Sequence, residues 1–332
     1  MAITASGLKV YQGGPEVTPG TPVAATRKFS LENLDWTPQD EVYRPRFANG
    51  VLLDNRGGET VISRGSEFTG EGPVIPDELH RWASMCIAAD VITGSGPYTH
   101  TFTRNPVANP TLKTWTLERR LSDGSNAIDN EWSHALLRSL TISAAMDAPL
   151  RLSFAGIARR VLDSTLTAAL SQVTTEILPS SLSTVFIDPA WADLGETQVT
   201  QQVLSFSVTF RSGINPVKTA DGRTDLDFGI VTVNDEEVGI DISMRLMVKA
   251  DSGQYATEKT AAEAQSLRAV RIAVAGAGDT EITIDALCKH VAGSLFKVDE
   301  QDGYEVFDMN LVSSTDLTNA YRLVVINAAS AL

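Results

Sequence analysis

Apolar and polar residues alternate along much of this chain, most regularly over residues 197–211 (TQVTQQVLSFSVTFR). There Leu204, Phe206, Val208 and Phe210 fall on one side and Val203, Ser205, Ser207 and Thr209 on the other, the pattern of a strand buried on one face. Looser alternation predicts strands at 26–36 (around Phe29, Leu31 and Leu34), 59–68, 98–103, 112–120, 136–147 and 150–157. Later in the chain it predicts strands at 270–275, 281–291, 305–313 and 322–327 and a hairpin over 226–250 turning at 234–237. Helical spacing occurs twice. Residues 76–90 place Leu79, Trp82, Met85, Cys86 and Ala89 on one face behind Pro76, Asp77 and Glu78, and 257–267 form an alanine-rich helix with Thr257 as its cap. The Gly- and Pro-rich residues 10–26 read as an extended arm with turns.

The predicted elements repeat in order. Two extended segments, a helix and two or three more extended segments run from about 26 to 161 and again from about 197 to 327, joined by a polar Ser/Thr/Pro stretch. The expectation is a mainly β chain of two tandem units, 1–165 and 166–332, each with one flanking helix. Long polar loops at 37–58 and 213–225 fall between the first two strands of each copy, and connections of that length are usually functional or disordered.

With 332 residues, 43% of them hydrophobic, the chain has enough apolar material for two ordinary cores, and only 7% aromatics, which suits thin β layers. Its opening lacks the basic start and apolar run of a secretory signal, and no stretch is apolar for the roughly 18–20 residues a membrane helix needs. Cys86 and Cys288 stand far apart in apolar surroundings, as buried free thiols would in a chain made in a reducing compartment. The net charge of −14 divides as −2 over 1–165 and −12 over 166–332. An acidic chain is a poor holder of nucleic acid, because tight binding needs cations to replace the counterions at phosphate. Acidity does suit a surface past which DNA slides without sticking.

Recognisable chemistry is sparse. No phosphate loop, dinucleotide fingerprint, nucleophile elbow or zinc-protease motif occurs, so no catalytic residue and no cofactor is expected. His80, His100, His134 and His290 are isolated and read as structural. Residues 123–131, with Asp123, Ser125, Asp129 and Glu131, lack calcium-loop spacing and read as a hydrated turn, so no metal site is expected. Acid pairs such as Asp225/Asp227 and Asp235/Glu236 lie beside turns with no aromatic platform or histidine, unlike a glycosidase pair. In the first long loop Tyr43, Arg44, Arg46 and Phe47 read equally as an exposed loop or as an interface anchor.

Several local runs resemble one family. Residues 16–27 (EVTPGTPVAATR), 68–73 (FTGEGP), 98–104 (YTHTFTR), and 138–143 (RSLTIS) with 149–152 (PLRL) are similar in order and spacing to major tail tube proteins of long, non-contractile-tailed bacteriophages. The similarity is strongest in the first half. It implies β-barrel or sandwich domains with one helix, joined edge to edge into rings that stack around a channel, with a long loop from each domain reaching the neighbouring ring. Tyr43, Arg44, Arg46, Phe47, Lys218 and Arg223 are then the ring-stacking candidates. Asp225, Asp227, Asp241, Glu281 and Asp285, which alternate with apolar residues, are the candidates to line an acidic lumen. Two domains per chain imply a trimeric ring with pseudo-sixfold symmetry in preference to a hexamer. The resemblance also implies a tape measure protein and a tail terminator as partners, transient passage of viral DNA, no membrane partner, and a place in the virion tail after synthesis in the host cytoplasm. The alternatives are a β-sandwich adhesion, carbohydrate-binding or decoration protein of the virion and, third, a hydrolase.

Overall fold

The computed structural model describes residues 8–43, 59–123, 125–171, 176–216, 231–248, 253–291, 298–301, 304–316, 318–330 and 332. The first half contains β1 (Leu8–Pro15), β2 (Arg27–Phe29), β3 (Asn33–Pro38), β4 (Glu41–Tyr43), β5 (Thr60–Ser63), β6 (Ser66–Pro73), α1 (Pro76–Cys86), β7 (Val91–Thr93), β8 (Tyr98–Arg104), β9 (Trp115–Ser122), β10 (Ala127–Ala145), β11 (Arg151–Ala158) and β12 (Leu162–Asp163). The second contains β13 (Ser183–Asp188), β14 (Val203–Pro216), β15 (Val231–Met247), α2 (Gln254–Glu263), β16 (Arg268–Ala275), β17 (Glu281–His290), β18 (Val298–Gln301), β19 (Tyr304–Ser313) and β20 (Tyr321–Asn327). The chain is mainly β, as the alternation predicts, and every strand pairing is antiparallel.

The pairings build one broad sheet in the order β3–β6–β11–β10–β14–β15–β19–β18. A second layer, β13–β16–β17–β20–β8–β7, joins it where the end of β17 meets β19. A third, β2–β1–β9, joins through the first half of β10. Among the described residues these ladders form no closed circuit, so the sheet does not shut into a barrel. The two halves share it: β10 pairs with β14 and β8 with β20, and buried side chains from both halves form one continuous core.

Alternation sets which face is buried. On the inner face of the broad sheet Leu34, Phe68, Phe154, Leu140, Phe210, Ile240 and Leu311 are buried in successive strands. Two glycines on this face are required by aromatic packing. A Cβ on Gly70 would come within 2.2 Å of the Phe154 ring, and one on Gly156 within 2.4 Å of the Phe68 ring. Each ring therefore lies over a bare backbone directly across the strand pair. Helix α1 is buried on almost every side, with Leu79, Trp82 and Met85 fully covered.

Several boundaries differ from the sequence reading. The supposed arm contains β1, whose eight residues all pair with β9, and the Nε2 of its buried Gln12 donates to Glu118 and to the Thr167 carbonyl instead of to water. The hairpin expected to turn at 234–237 falls within a single strand, β15, which pairs with β14 on both sides of that region and shifts register between Val233 and Val238. The second helix begins three residues before Thr257, after Gly253 in the left-handed region (φ 64°), so Thr257 is not its cap. Residues 26–36 and 59–68 each divide into two strands, and the polar connector contains β13.

Strand β10 serves two layers because it bends between Trp132 and Ala135, where its register with β9 shifts. His134 takes a left-handed conformation there (φ 56°), and its freed N–H donates to buried Glu16 Oε1 at 2.7 Å. The same carboxylate accepts from Gly20 N at 2.6 Å and Thr116 Oγ1 at 3.0 Å, so an N-terminal residue fixes the corner of the fold.

The end of the chain is held by His100, buried on β8 and stacked on His80 with ring centroids 4.3 Å apart. Its Nδ1 meets Asp90 Oδ2 at 2.7 Å and its Nε2 meets the Ala329 carbonyl at 2.8 Å, so both ring nitrogens must donate. Burial works against the charged ring, but the bonds to Asp90 and Ala329 outweigh it and raise the pKa above 6.5. A raised imidazole pKa means stability that is complete below the unfolded value and is lost as pH rises through the folded one. The denaturation midpoint should therefore fall as pH rises above about 6.5, the unfolded imidazole value, and Asp90→Asn should flatten that fall. An equal fall in the variant would refute the assignment.

Candidate assembly surface

The outer face of the broad sheet is polar from strand to strand. Thr37, Asp35 and Asn33 of β3 are followed by Glu67, Thr69 and Glu71 of β6, Arg151 and Ser153 of β11, and Ser139, Thr141 and Ser143 of β10. Across the junction lie Ser205, Ser207 and Thr209 of β14, Asp241, Ser243 and Arg245 of β15, and Asp308 and Asn310 of β19. None of these side chains belongs to the core. The Thr141 and Thr209 hydroxyls are 2.9 Å apart across the β10–β14 junction, and Ser243 donates to Asn310 Oδ1 at 2.9 Å.

Charges on this face are matched. Arg138 lies 2.8 Å from Glu67, Arg211 2.8 Å from Asp241, and Arg245 3.8 Å from Asp308, while Arg151 makes a two-pronged contact with Glu32 at 2.7 Å. Each arginine faces a carboxylate, so the face presents hydroxyls and engaged guanidinium groups in place of free cations. Exposed pairs of this kind add little stability. Their effect is on what the surface attracts.

The expected lumen residues separate here. Asp241 lies on the polar face, half-exposed beside Arg211. Glu281 begins β17 in the second layer, where it accepts from the Thr283 hydroxyl at 2.6 Å. Asp285 is fully buried, held by Arg271 at 2.6 and 3.1 Å and by Arg322 at 2.6 Å. Its charge is compensated inside the protein, which removes it as a source of free acidity on any surface. Asp225 and Asp227 lie outside the described residues. Asp35, Glu67, Glu71 and Asp308 are additions that the sequence reading missed, although polar residues at 67, 69 and 71 carried the period-two signal.

Of the loop candidates, Tyr43 is described, and Arg44, Arg46, Phe47, Lys218 and Arg223 lie outside the described residues. Tyr43 ends β4, which among the described residues pairs with β5 alone. This ribbon exposes Val42, Tyr43 and Ile62. Strands β14 and β15 form the corresponding ribbon of the second half, pairing out to Pro216 and Val231.

The residues considered for chemistry are engaged structurally. Asp123 caps its own turn through bonds from Ser125 and Asn126, and Asp129 holds Arg120 at 2.6–2.7 Å. Cys86 and Cys288 are buried free thiols, that of Cys86 pushed up to about 12 by burial. His290 joins Arg268 around buried Glu258. No described helix is long and apolar enough to cross a membrane.

The broad sheet repeats. In the first half the order is β3, β6, β11, β10, and in the second it is β14, β15, β19, β18. Each quartet is an early hairpin followed by the second and then the first strand of a later hairpin. In each, the later hairpin runs on into another strand, β12 beside β10 and β20 beside β17. The quartets join inside the chain through β10 and β14, while β3 and β18 have no strand partner on their outer sides among the described residues. No family model matches this chain, and comparison with curated proteins finds no significant match.

Proposed function

We propose that this chain is the repeated structural subunit of a bacteriophage tail tube, forming stacked rings around a channel through which viral DNA passes. One observation carries the reading: a broad antiparallel sheet, built twice from the same strand order, with both outer margins unpaired among the described residues and one face largely polar. Unpaired sheet margins invite strand addition, and ring closure is one way to remove them. Three chains would supply six quartets, giving a trimeric ring with pseudo-sixfold symmetry.

The polar face suits the wall of such a channel. Phosphates are gripped by free Lys and Arg, and here the arginines are occupied by carboxylates at hydrogen-bonding or near-contact distance. The net charge of −14 adds repulsion that is screened over about 8 Å at physiological salt. The exposed ribbon ending at Tyr43 suits contact with the next ring. The family resemblance supports the same reading and brings with it a tape measure protein, a tail terminator and a virion location. An adhesion module expects an exposed aromatic platform. Instead Trp82, Trp115 and Trp132 are buried, and the ring of Trp191 lies 5.6 Å beneath Arg322.

Sedimentation and electron microscopy of the purified chain test the proposal. Monomers or small rings that convert to long hollow tubes are expected. A chain that stops at a small closed oligomer under all conditions would refute it.

A further inference from the structure

The internal junction indicates how two copies meet. Strand β10, the last of the first quartet, lies antiparallel to β14, the first of the second, from Ser139 opposite Arg211 to Ala145 opposite Ser205. By position in the quartet β3 corresponds to β14, and β18 to the second half of β10. Among the described residues neither outer margin has a strand partner, and on β18 the bond from Val248 N to the Glu305 carbonyl turns Glu305 toward β15 and the peptide groups of Glu300, opposite it, outward. The Gln39 N–H donates to the Gly65 carbonyl at 2.8 Å and sets the alternation along β3. The odd-numbered residues therefore turn their peptide groups toward β6, and Trp36 and Pro38 turn theirs outward. Pro38, having no N–H to leave unpaired, suits an outward position. At Leu34 the outward carbonyl is met by Arg119 Nη1 at 3.3 Å, so the open margin begins after it.

We infer that β18 of one copy pairs antiparallel with β3 of a second copy of this chain, repeating between chains the ladder that β10 and β14 form within one. The contact is head-to-tail and so generates a ring wherever the rotation per copy closes. It rests on the tube reading for the number of copies and the stacking of rings, but not for the identity of the strands. The other margins are poorer candidates. Residues 197–199 cover β13 through bonds with Val185 and Ile187, and β2 and β7 are each three residues long.

Side-chain direction supplies the test. Asp299 is half-exposed on β18 opposite Val306, on the side of the sheet that carries Asp308, and Asp35 and Thr37 are exposed on that same side of β3. Cysteines at directly opposed positions would have Cβ atoms within about 5.5 Å, close enough for a disulfide. The chain would carry Asp299→Cys with either Asp35→Cys or Thr37→Cys, and a control would pair Asp299→Cys with Ile92→Cys on β7. All four positions are surface sites, and circular dichroism checks that the variants fold. The native thiols are buried and give little background. After mild oxidation of the assembled protein, a non-reducing gel should show a ladder of chain multiples for a β3–β18 pair, lost on reduction and absent from the control. Assembly without cross-linking at either β3 position, or with cross-linking only in the control, overturns the junction and leaves the tube reading standing. A chain that stays monomeric by sedimentation under all conditions overturns both.

Discussion

Replacing Trp82 with alanine is expected to lower stability by about 4 kcal/mol, near the upper end for a buried aromatic. Trp82 is fully buried on α1, and its ring stacks on Phe154 at 4.4 Å and leans on Phe29 at 4.6 Å. Those rings belong to two layers, Phe154 to the broad sheet and Phe29 to β2, so the indole bridges them around the helix. Removing it leaves a cavity that neither sheet can fill, because β11 is fixed by ladders on both sides. The indole Nε1 has no hydrogen-bond partner among the described residues. Trp82→Phe therefore loses volume without losing a hydrogen bond and should cost less than half as much as the alanine change. Urea denaturation of both variants is the measurement. Equal losses for phenylalanine and alanine would mean that volume is not what Trp82 contributes.

The second large effect is expected at Glu258, where alanine should cost about 3–5 kcal/mol. Glu258 is fully buried on α2, with Arg268 Nε at 3.1 Å, Arg268 Nη2 in closer contact, and His290 Nε2 at 3.2 Å. Gln254 adds a bond from its Nε2 at 3.1 Å. Without the carboxylate the nearly buried Arg268 guanidinium is left without its counter-charge, and desolvating an unpaired charge is what makes such a change expensive. The double change Glu258→Leu, Arg268→Met removes both charges, and it should sit closer to the wild type than Glu258→Ala does. Chemical denaturation of the three chains decides the matter. If the double variant is the least stable, the network contributes through packing and not through charge.

The two helices show why some elements were readable in the sequence and others were not. Helix α1 announces itself: Pro76 and two acids open it, and Leu79, Trp82 and Met85 recur at helical spacing. Helix α2 buries only Gln254, Glu258 and Ala261, so no apolar stripe marks its register. Its anchor is an ion cluster whose other members are 10 and 32 residues further along. A local window cannot see that cluster, and the predicted start was misplaced accordingly. Strand β1 is a similar case, because its Gly- and Pro-bearing sequence is turn-like until Glu118 and the Thr167 carbonyl accept from the Gln12 Nε2.

Local pattern was enough to establish a mainly β chain and the face its clearest strand turns inward, because side-chain alternation and helical spacing are properties of neighbouring residues. Where strands met was decided by the folded molecule. That β10 leaves one layer at His134, that β14 adds to it, and that Asp285 is neutralised within the core all depend on contacts between residues far apart in the chain. Hydrophobic burial specifies a strand's inward face locally, but the backbone hydrogen bonds that choose its neighbour are nearly the same for every strand. Only the packing of both halves around one core selects among them.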